Sequence, residues 1–461
     1  MEKKGLGHLD HMQKADNLGI LNALPRPIKV VFLGAGSAFF RSLFTDVVNI
    51  PGADRGEMVL VDIDPKRLDI SKKLGERIIR DSGRHGWKII AATERRKVLP
   101  GADYIINCIE VSGTGCVRFD NDIPLEYGVD QCIGDTIGPG GLFKALRTAP
   151  VLIEVLRDVE KYCPDAWFLN YTNPMNILCL VAARTSTVKF VGLCHSVQHT
   201  SHQLANYLEV PYHELNFRCG GINHLAWFTE LSRKGKDLYP ELRKRIENSP
   251  ELLKKDPVRF DLFKYFDYFV TESSGHFSEY IPYYRKNKKF IKQYCGKGYL
   301  GESSYYADNW PQWRQDSDHL KELWATGRKE LELSRTWEYA SYIIEALETN
   351  APFVIWGNVP NRHLIDNLPE DGVVEVGCVV NRAGITPTHF GKLPTQCAAL
   401  CSANMAMFDL AAEACIARSK KLAAQALMLD PLTAAVCSLA QIKEMTDRLF
   451  EAEKSYLSDY R

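Results

Sequence analysis

Three observations predict an α/β fold built on a doubly wound, Rossmann-like parallel sheet. Continuous apolar runs alternate with helical stretches from residue 28 to residue 210. The first run passes straight into a glycine turn, G-A-G-S, at Gly34 to Ser37. Later runs end in polar residues of the kind that line a ligand site at the carboxyl ends of parallel strands.

Ile28–Leu33, I-K-V-V-F-L, is nearly all apolar, as suits a parallel strand covered on both faces. Phe40, Leu43, Phe44, Val47 and Val48 follow at helical spacing, so the glycines lie between strand and helix. Residues 58–63, M-V-L-V-D-I, read as the second strand, with Asp62 near its end and Asp64-Pro65 opening a helix. Residues 103–109 then read as a strand, 150–162 as a helix, 166–170 as a strand, 175–183 as a helix and 188–193 as a strand.

After Pro211 the texture changes. Residues 216–231 alternate weakly, 233–267 are charged and helical, and 269–297 are rich in tyrosine and phenylalanine. Residues 372–382 form a strand bounded by turn residues, and 394–453 are helical with a break at Asp430-Pro431. The expected division is an extension over 1–27, a nucleotide-binding domain over 28–210, and a mixed α+β domain over 211–461 packed on it.

With 461 residues the chain is long enough for two domains. Lysine plus arginine and aspartate plus glutamate both number 57, so nothing calls for nucleic acid or another polyanion. A small-molecule partner fits better. The 13 cysteines are odd in number and lack the spacing of a disulfide scaffold or zinc ribbon, which suits a reduced cytoplasmic protein. The polar N-terminus does not read as a signal peptide, and no uninterrupted run of ~18 apolar residues suggests a membrane span.

In the glycine turn, Gly34 makes the tight bend and Gly36 lets the backbone approach a pyrophosphate at the following helix N-terminus. Phe39 stands where the usual third glycine would be. Asp62 is placed to accept from ribose hydroxyls and to repel a 2′-phosphate, which favours NAD over NADP. Gly34, Gly36, Ser37 and Asp62 are the candidate cofactor contacts. A plain turn in a nucleotide-free sheet is the competing reading.

Asn173, Cys194 and His195 all fall at strand ends on the same expected edge. His224 follows in the strand-like stretch C-G-G-I-N-H-L-A-W. Sulfur plus imidazole makes a borderline-soft site for Mn²⁺, Fe²⁺, Co²⁺ or Zn²⁺. On spacing alone, a buried thiol and a core histidine are as acceptable.

The motifs carry a resemblance. F-L-G-A-G-S, V-S-G-T-G-C-V-R-F-D-N-D-I-P-L-E-Y-G, G-D-T-I-G-P-G-G-L-F-K-A-L-R-T, N-Y-T-N-P, G-L-C-H-S-V and G-I-N-H together resemble glycoside hydrolase family 4, the NAD- and metal-dependent glycosidases. The resemblance runs from Ile28 into the C-terminal helices and implies a sheet like that of lactate and malate dehydrogenases.

It also implies roles. Cys194 and His224 would hold a divalent metal, usually Mn²⁺; Asn173 and Arg118 would contact the sugar. His195 would be the proton donor, where the phospho-sugar enzymes carry aspartate; an imidazole can do that work. The base is usually a tyrosine, which points to Tyr280 in F-V-T-E-S-S-G-H-F-S-E-Y-I-P-Y-Y, with His276 and Tyr284 as rivals.

The implied chemistry replaces the usual carboxylate pair. Hydride leaves sugar C3 for NAD⁺, the resulting ketone acidifies the C2 proton, and the leaving group departs from C1. Water then adds and the hydride returns, with no net NADH.

Cys-His-Ser-Val resembles the unphosphorylated group, so an α-galactosidase on a short neutral oligosaccharide is expected. An α-glucosidase or an α-galacturonidase or glucuronidase is the runner-up. The resemblance also implies a homodimer or homotetramer. From another class, an NAD-dependent 2-hydroxyacid dehydrogenase would leave a Cys194–His224 metal pair without a task, and an idle dinucleotide sensor would bind no metal.

Overall fold

A computed structural model describes residues 19–461. Of the extension expected over 1–27, residues 1–18 lie outside the described residues. The rest is tied down: Arg26 pairs with Asp103 and Glu348, and the Leu21 amide donates to the Thr349 carbonyl.

Six parallel strands form the first half of the sheet: β1 (Ile28–Leu33), β2 (Arg55–Val61), β3 (Gly86–Ala92), β4 (Tyr104–Asn107), β5 (Trp167–Asn170) and β6 (Lys189–Leu193). Their order is β3-β2-β1-β4-β5-β6, with the reversal of winding between β1 and β4. All four residues of β4 and most of β1 are buried, which is why these strands read as unbroken apolar runs.

Register fixes the site. Leu33 pairs with both Val61 and Asn107, Asn107 with Asn170, and Asn170 with Gly192. The residues that follow these strands, Gly34, Asp62, Cys108, Tyr171 and Cys194, therefore come out along one edge.

The second half continues the same sheet. It adds β7 (Asn216–Ile222), β8 (Leu225–Arg233), β9 (Lys236–Asp237), β10 (Phe269–Val270), β11 (Phe353–Pro360), β12 (Val373–Asn381) and β13 (Gly384–Pro387). Beyond β6 the order is β11-β12-β7-β8-β10, all antiparallel, with β13 on β12 and β9 on β8.

The helix expected from Pro150 starts twelve positions earlier and spans Gly138–Tyr162, with Pro150 inside it. Pro139 sits at its first turn, where a missing N–H costs nothing. Side chains at Gly140 and Gly141 would collide with the backbone of Gly134 and Thr136, so these glycines admit the loop that packs there. Thr395–Ala417, the one described helix long and apolar enough to cross a bilayer, is half buried and packs against Gly138–Tyr162 and Met175–Thr185. Cys397, Cys401, Met405 and Phe408 bury its inner face.

Candidate active site

The glycine loop is shaped by its backbone. Gly34 has φ +77°, and its amide and that of Ala35 donate to the Val61 carbonyl, binding the loop to β2. Asp62 holds the loop closed, accepting from the Gly36 amide at 2.6 Å and the Asp64 amide at 2.9 Å. Ser37 Oγ is buried at the turn beside the Cys108 thiol, with no well-formed protein hydrogen bond. Phe39, in place of a third glycine, lays its ring 5.8 Å from that of Tyr171.

A helix from the second half, Tyr305–Ala325, completes this corner. Lys321 is buried and donates to the Gly36 carbonyl, while Asp318 pairs with Arg67. Burial lowers the Lys321 ammonium to about 8, against the pull of Asp318. No sequence signal pointed to Lys321.

At the end of β6, Cys194 Sγ lies 3.5 Å from His224 Nε2. His224 is not within a strand but at the two-residue turn between β7 and β8, with φ +63°. The carboxylate of Glu272 stands 3.6 Å from the same nitrogen, and sulfur, nitrogen and carboxylate oxygen all lie within 4.8 Å of one another. Glu272 also has a left-handed backbone, φ +76°. Left-handed conformations at two non-glycine residues facing one point are the kind of local strain that functional sites retain.

Burial lowers the pKa of His224, keeping the imidazole neutral, as a ligand must be. Glu272 is opposed by its own burial, yet the protonated His276 bonded to it holds its carboxyl well below the usual range. A sulfur, an imidazole nitrogen and a carboxylate fit a divalent transition metal and leave positions open.

His195 turns Nδ1 toward Glu338 at 3.5 Å and keeps 44% of its side chain exposed. That hydrogen bond raises its pKa to about 10, so at neutral pH it carries a proton. Asn173 stands at the end of β5, partly exposed and joined to Pro174 by a cis peptide bond.

A chain of polar contacts leads from this cluster into a cleft. His276 Nδ1 lies 3.0 Å from Glu272, and its Nε2 lies 3.4 Å from Asp135. Lys144 bridges Asp135 at 3.4 Å and Glu110 at 3.0 Å. Tyr306 and Trp310 form an aromatic wall of the cleft that Glu110, Asp135 and Lys144 line. Lys144 is buried, but Glu110 and Asp135 together raise its pKa and keep it charged.

The remaining sequence candidates are spread wider. Tyr280 is 1% exposed, its ring edge-on to His224 at 6.0 Å, and burial pushes its phenol well above the usual range. Tyr284 faces away and donates to Asp261. Arg118 is not drawn to Cys194: it sits half exposed beside the cleft residue Val117, paired with Asp308 and Asp122.

Residues 29–210 match the family model described as family 4 glycosyl hydrolase, and residues 219–433 match the model of its C-terminal domain. The chain belongs to glycoside hydrolase family 4. It is 41% identical over 439 residues to an alpha-galactosidase of Bacillus subtilis (strain 168), covering 94% of this chain and 100% of that one. An alpha-galactosidase of Rhizobium meliloti (strain 1021) is 36% identical over 440 residues, covering 94% and 89%. The fold resembles that of the 6-phospho-beta glucosidase from Thermotoga maritima, solved with manganese, NAD⁺ and glucose-6-phosphate: TM-score 0.77, 24% identity, 93% and 99% coverage.

In this family 4 chain, sequence reasoning passed over Glu272, Asp135, Lys144 and Glu338. Glu272 lies four residues before His276, but outside the Ser274–Phe277 helix and with a left-handed backbone, so only the fold sets the two side chains together. Glu338 carried no local signal, since only the tertiary fold sets it against His195.

Proposed function

We propose that the chain is an α-galactosidase acting on short neutral oligosaccharides, with NAD at the glycine loop and Mn²⁺ or a similar divalent metal at Cys194, His224 and Glu272. The observation that carries this reading is the Cys194–His224–Glu272 cluster on the edge shared with Gly34, in a chain 41% identical to an α-galactosidase. NAD bound there supplies reversible hydride acceptance at sugar C3, and the metal supplies Lewis acidity toward the sugar oxygens.

The chain's own residues do the rest. Glu338 orients His195 through Nδ1, leaving Nε2 to present a proton to the leaving-group oxygen. Asn173 and Arg118 are taken as sugar contacts, Asn173 from the strand-end row and Arg118 from the cleft flank. For the base Tyr280 is retained, edge-on to His224: His276 is held between Glu272 and Asp135, which raise its pKa well above the usual imidazole value, so it already carries its proton.

Charge accounting supports a neutral sugar. Lys144, in the cleft, is bound to two carboxylates, and Arg147 beside it is bound to Asp120 and Glu453. Neither is free to grip a phosphate or uronate. Thirteen unpaired cysteines suit a reducing compartment such as the cytoplasm, and a homodimer or homotetramer is the assembly we expect.

Nitrophenyl α-glycosides assayed with NAD⁺, Mn²⁺ and a thiol reductant test the reading. The α-galactoside should be cleaved fastest, with solvent deuterium entering C2 of the product. Faster cleavage of the α-glucoside or α-galacturonide, or product without deuterium, would overturn it. Tyr280→Phe should abolish the exchange, and His276→Asn should retain it; the reverse pattern moves the base to His276.

A further inference from the structure

Glu375 stands in the middle of β12, in the run V-V-E-V-G-C-V-V, where an apolar side chain would satisfy the strand. It is 0% exposed, and neither carboxylate oxygen has a protein hydrogen bond of good geometry, the Asn223 side chain being the one neutral polar group set against it. A wholly buried carboxyl without a cation or a well-formed hydrogen bond is costly, and native proteins keep such groups for a reason other than packing.

Its position supplies the reason. One rung of the sheet reads Gly192 on β6, Asn358 on β11, Glu375 on β12 and Gly221 on β7. Residues paired across neighbouring strands share a face. Cys194 lies two residues beyond Gly192, and His224 lies three beyond Gly221. The glutamate is thus set between the two strands that deliver the sulfur and the imidazole, one layer behind them.

The titratable groups that face it are Cys194, His224 and Glu272, with the Asn223 amide alongside. His224 Nε2 is turned to the cluster, and its other nitrogen, Nδ1, is buried with no protein partner; both polar atoms of the Asn223 side chain are likewise unpaired. A metal-binding histidine ordinarily gives its second N–H to a carboxylate, carbonyl or water.

We propose that Glu375 is a positioning residue of the metal centre: its buried carboxyl stands behind Cys194 and His224, carrying a negative charge when a cation is bound and, directly or through one bridging water, accepting from the imidazole to orient it. The fold tolerates this unpaired group because a bound cation repays it. The inference rests on reading Cys194, His224 and Glu272 as ligands.

The test is metal affinity. Mn²⁺ and Co²⁺ dissociation constants are measured on full-length protein by chelator competition, with the Co²⁺–sulfur absorption band as a second readout. Glu375→Gln, which keeps the shape and removes the charge, should weaken both metals by about 10–100-fold. NAD affinity should be unchanged, and the metal-free melting temperature should equal or exceed that of the parent. Glu375→Asp, which keeps the charge, should stay within a few-fold of the parent and serves alone if the glutamine variant does not fold.

Unchanged metal affinity in Glu375→Gln would overturn the proposal, as would affinity lost equally in the aspartate variant. A fall in metal-free stability that accounts for the whole loss would also do so. If the parent itself binds no divalent metal, the ligand assignment fails first, an outcome distinct from a parent that binds and a glutamine variant that binds equally well.

Discussion

Replacing Arg147 with methionine should cost more than any surface substitution in this protein. Arg147 lies in the K-A-L-R-T run, one helical turn after Lys144, and its side chain is 2% exposed. It grips Asp120 with two parallel N–H bonds of 3.0 and 2.7 Å and also donates to Glu453, whose carboxylate is fully buried. The contact joins residues 306 positions apart, fastening the C-terminal helices to the first half of the chain.

Methionine keeps the volume but leaves two carboxylates facing each other without a cation. Breaking a buried pair from one side costs about 3–5 kcal/mol. Part of this is recovered, because burial and Asp120 push the Glu453 carboxyl well above the usual range, and without the arginine it can take a proton. A loss of about 3 kcal/mol is therefore expected, read as a shift in urea midpoint at constant slope. Replacing Asp120 and Glu453 with leucine as well should restore most of it, since an apolar cluster needs no cation. A loss below about 1 kcal/mol, the scale of exposed ion pairs, would refute the reasoning.

Three further outcomes are expected. Cys194→Ser should leave the fold intact while abolishing metal-dependent turnover and the Co²⁺–sulfur band; full activity would remove Cys194 from the site. Gly34→Ala places a Cβ 2.5 Å from the Cys108 carbonyl oxygen at φ +77°, so NAD affinity measured by calorimetry should collapse and stability fall by about 1–2 kcal/mol or more; unchanged NAD binding would locate the nucleotide elsewhere. Asp430, a buried helix cap bonded to the Thr433 amide, has its carboxyl raised by burial from 3.8 to about 6. The folded state thus holds the extra proton, and this contribution is present below about pH 4 and lost as pH rises through 6. Asp430→Asn, which caps as well, should gain up to about 3 kcal/mol at pH 8 and nothing at pH 4; a pH-independent difference would contradict the sign.

Legibility in the sequence followed burial. β1, β2, β4, β5 and β6 were readable because strands covered on both faces must be apolar throughout. β3 was not marked, because this edge strand, G-W-K-I-I-A-A, is half exposed and mixes lysine with apolar residues. The start of Gly138–Tyr162 hid behind glycines that serve close packing rather than a turn. At the site, Cys194 and His224 were legible as residue types that mean chemistry wherever they meet. Glu272, Asp135, Glu338 and Glu375 were not, since a lone acid in a sequence is nearly always a solvated surface group.

The seam between β6 and β11 carries one more consequence. Cys194 is presented by a strand whose far side is hydrogen-bonded to chain from more than 160 positions later, at Gly357 and Asn358. Synthesis of the first 210 residues would leave that edge bare, its amides and carbonyls open to any passing strand. Until β11 arrives, the nascent chain must be shielded, and a pair of separately expressed halves would meet as sticky fragments rather than as working parts.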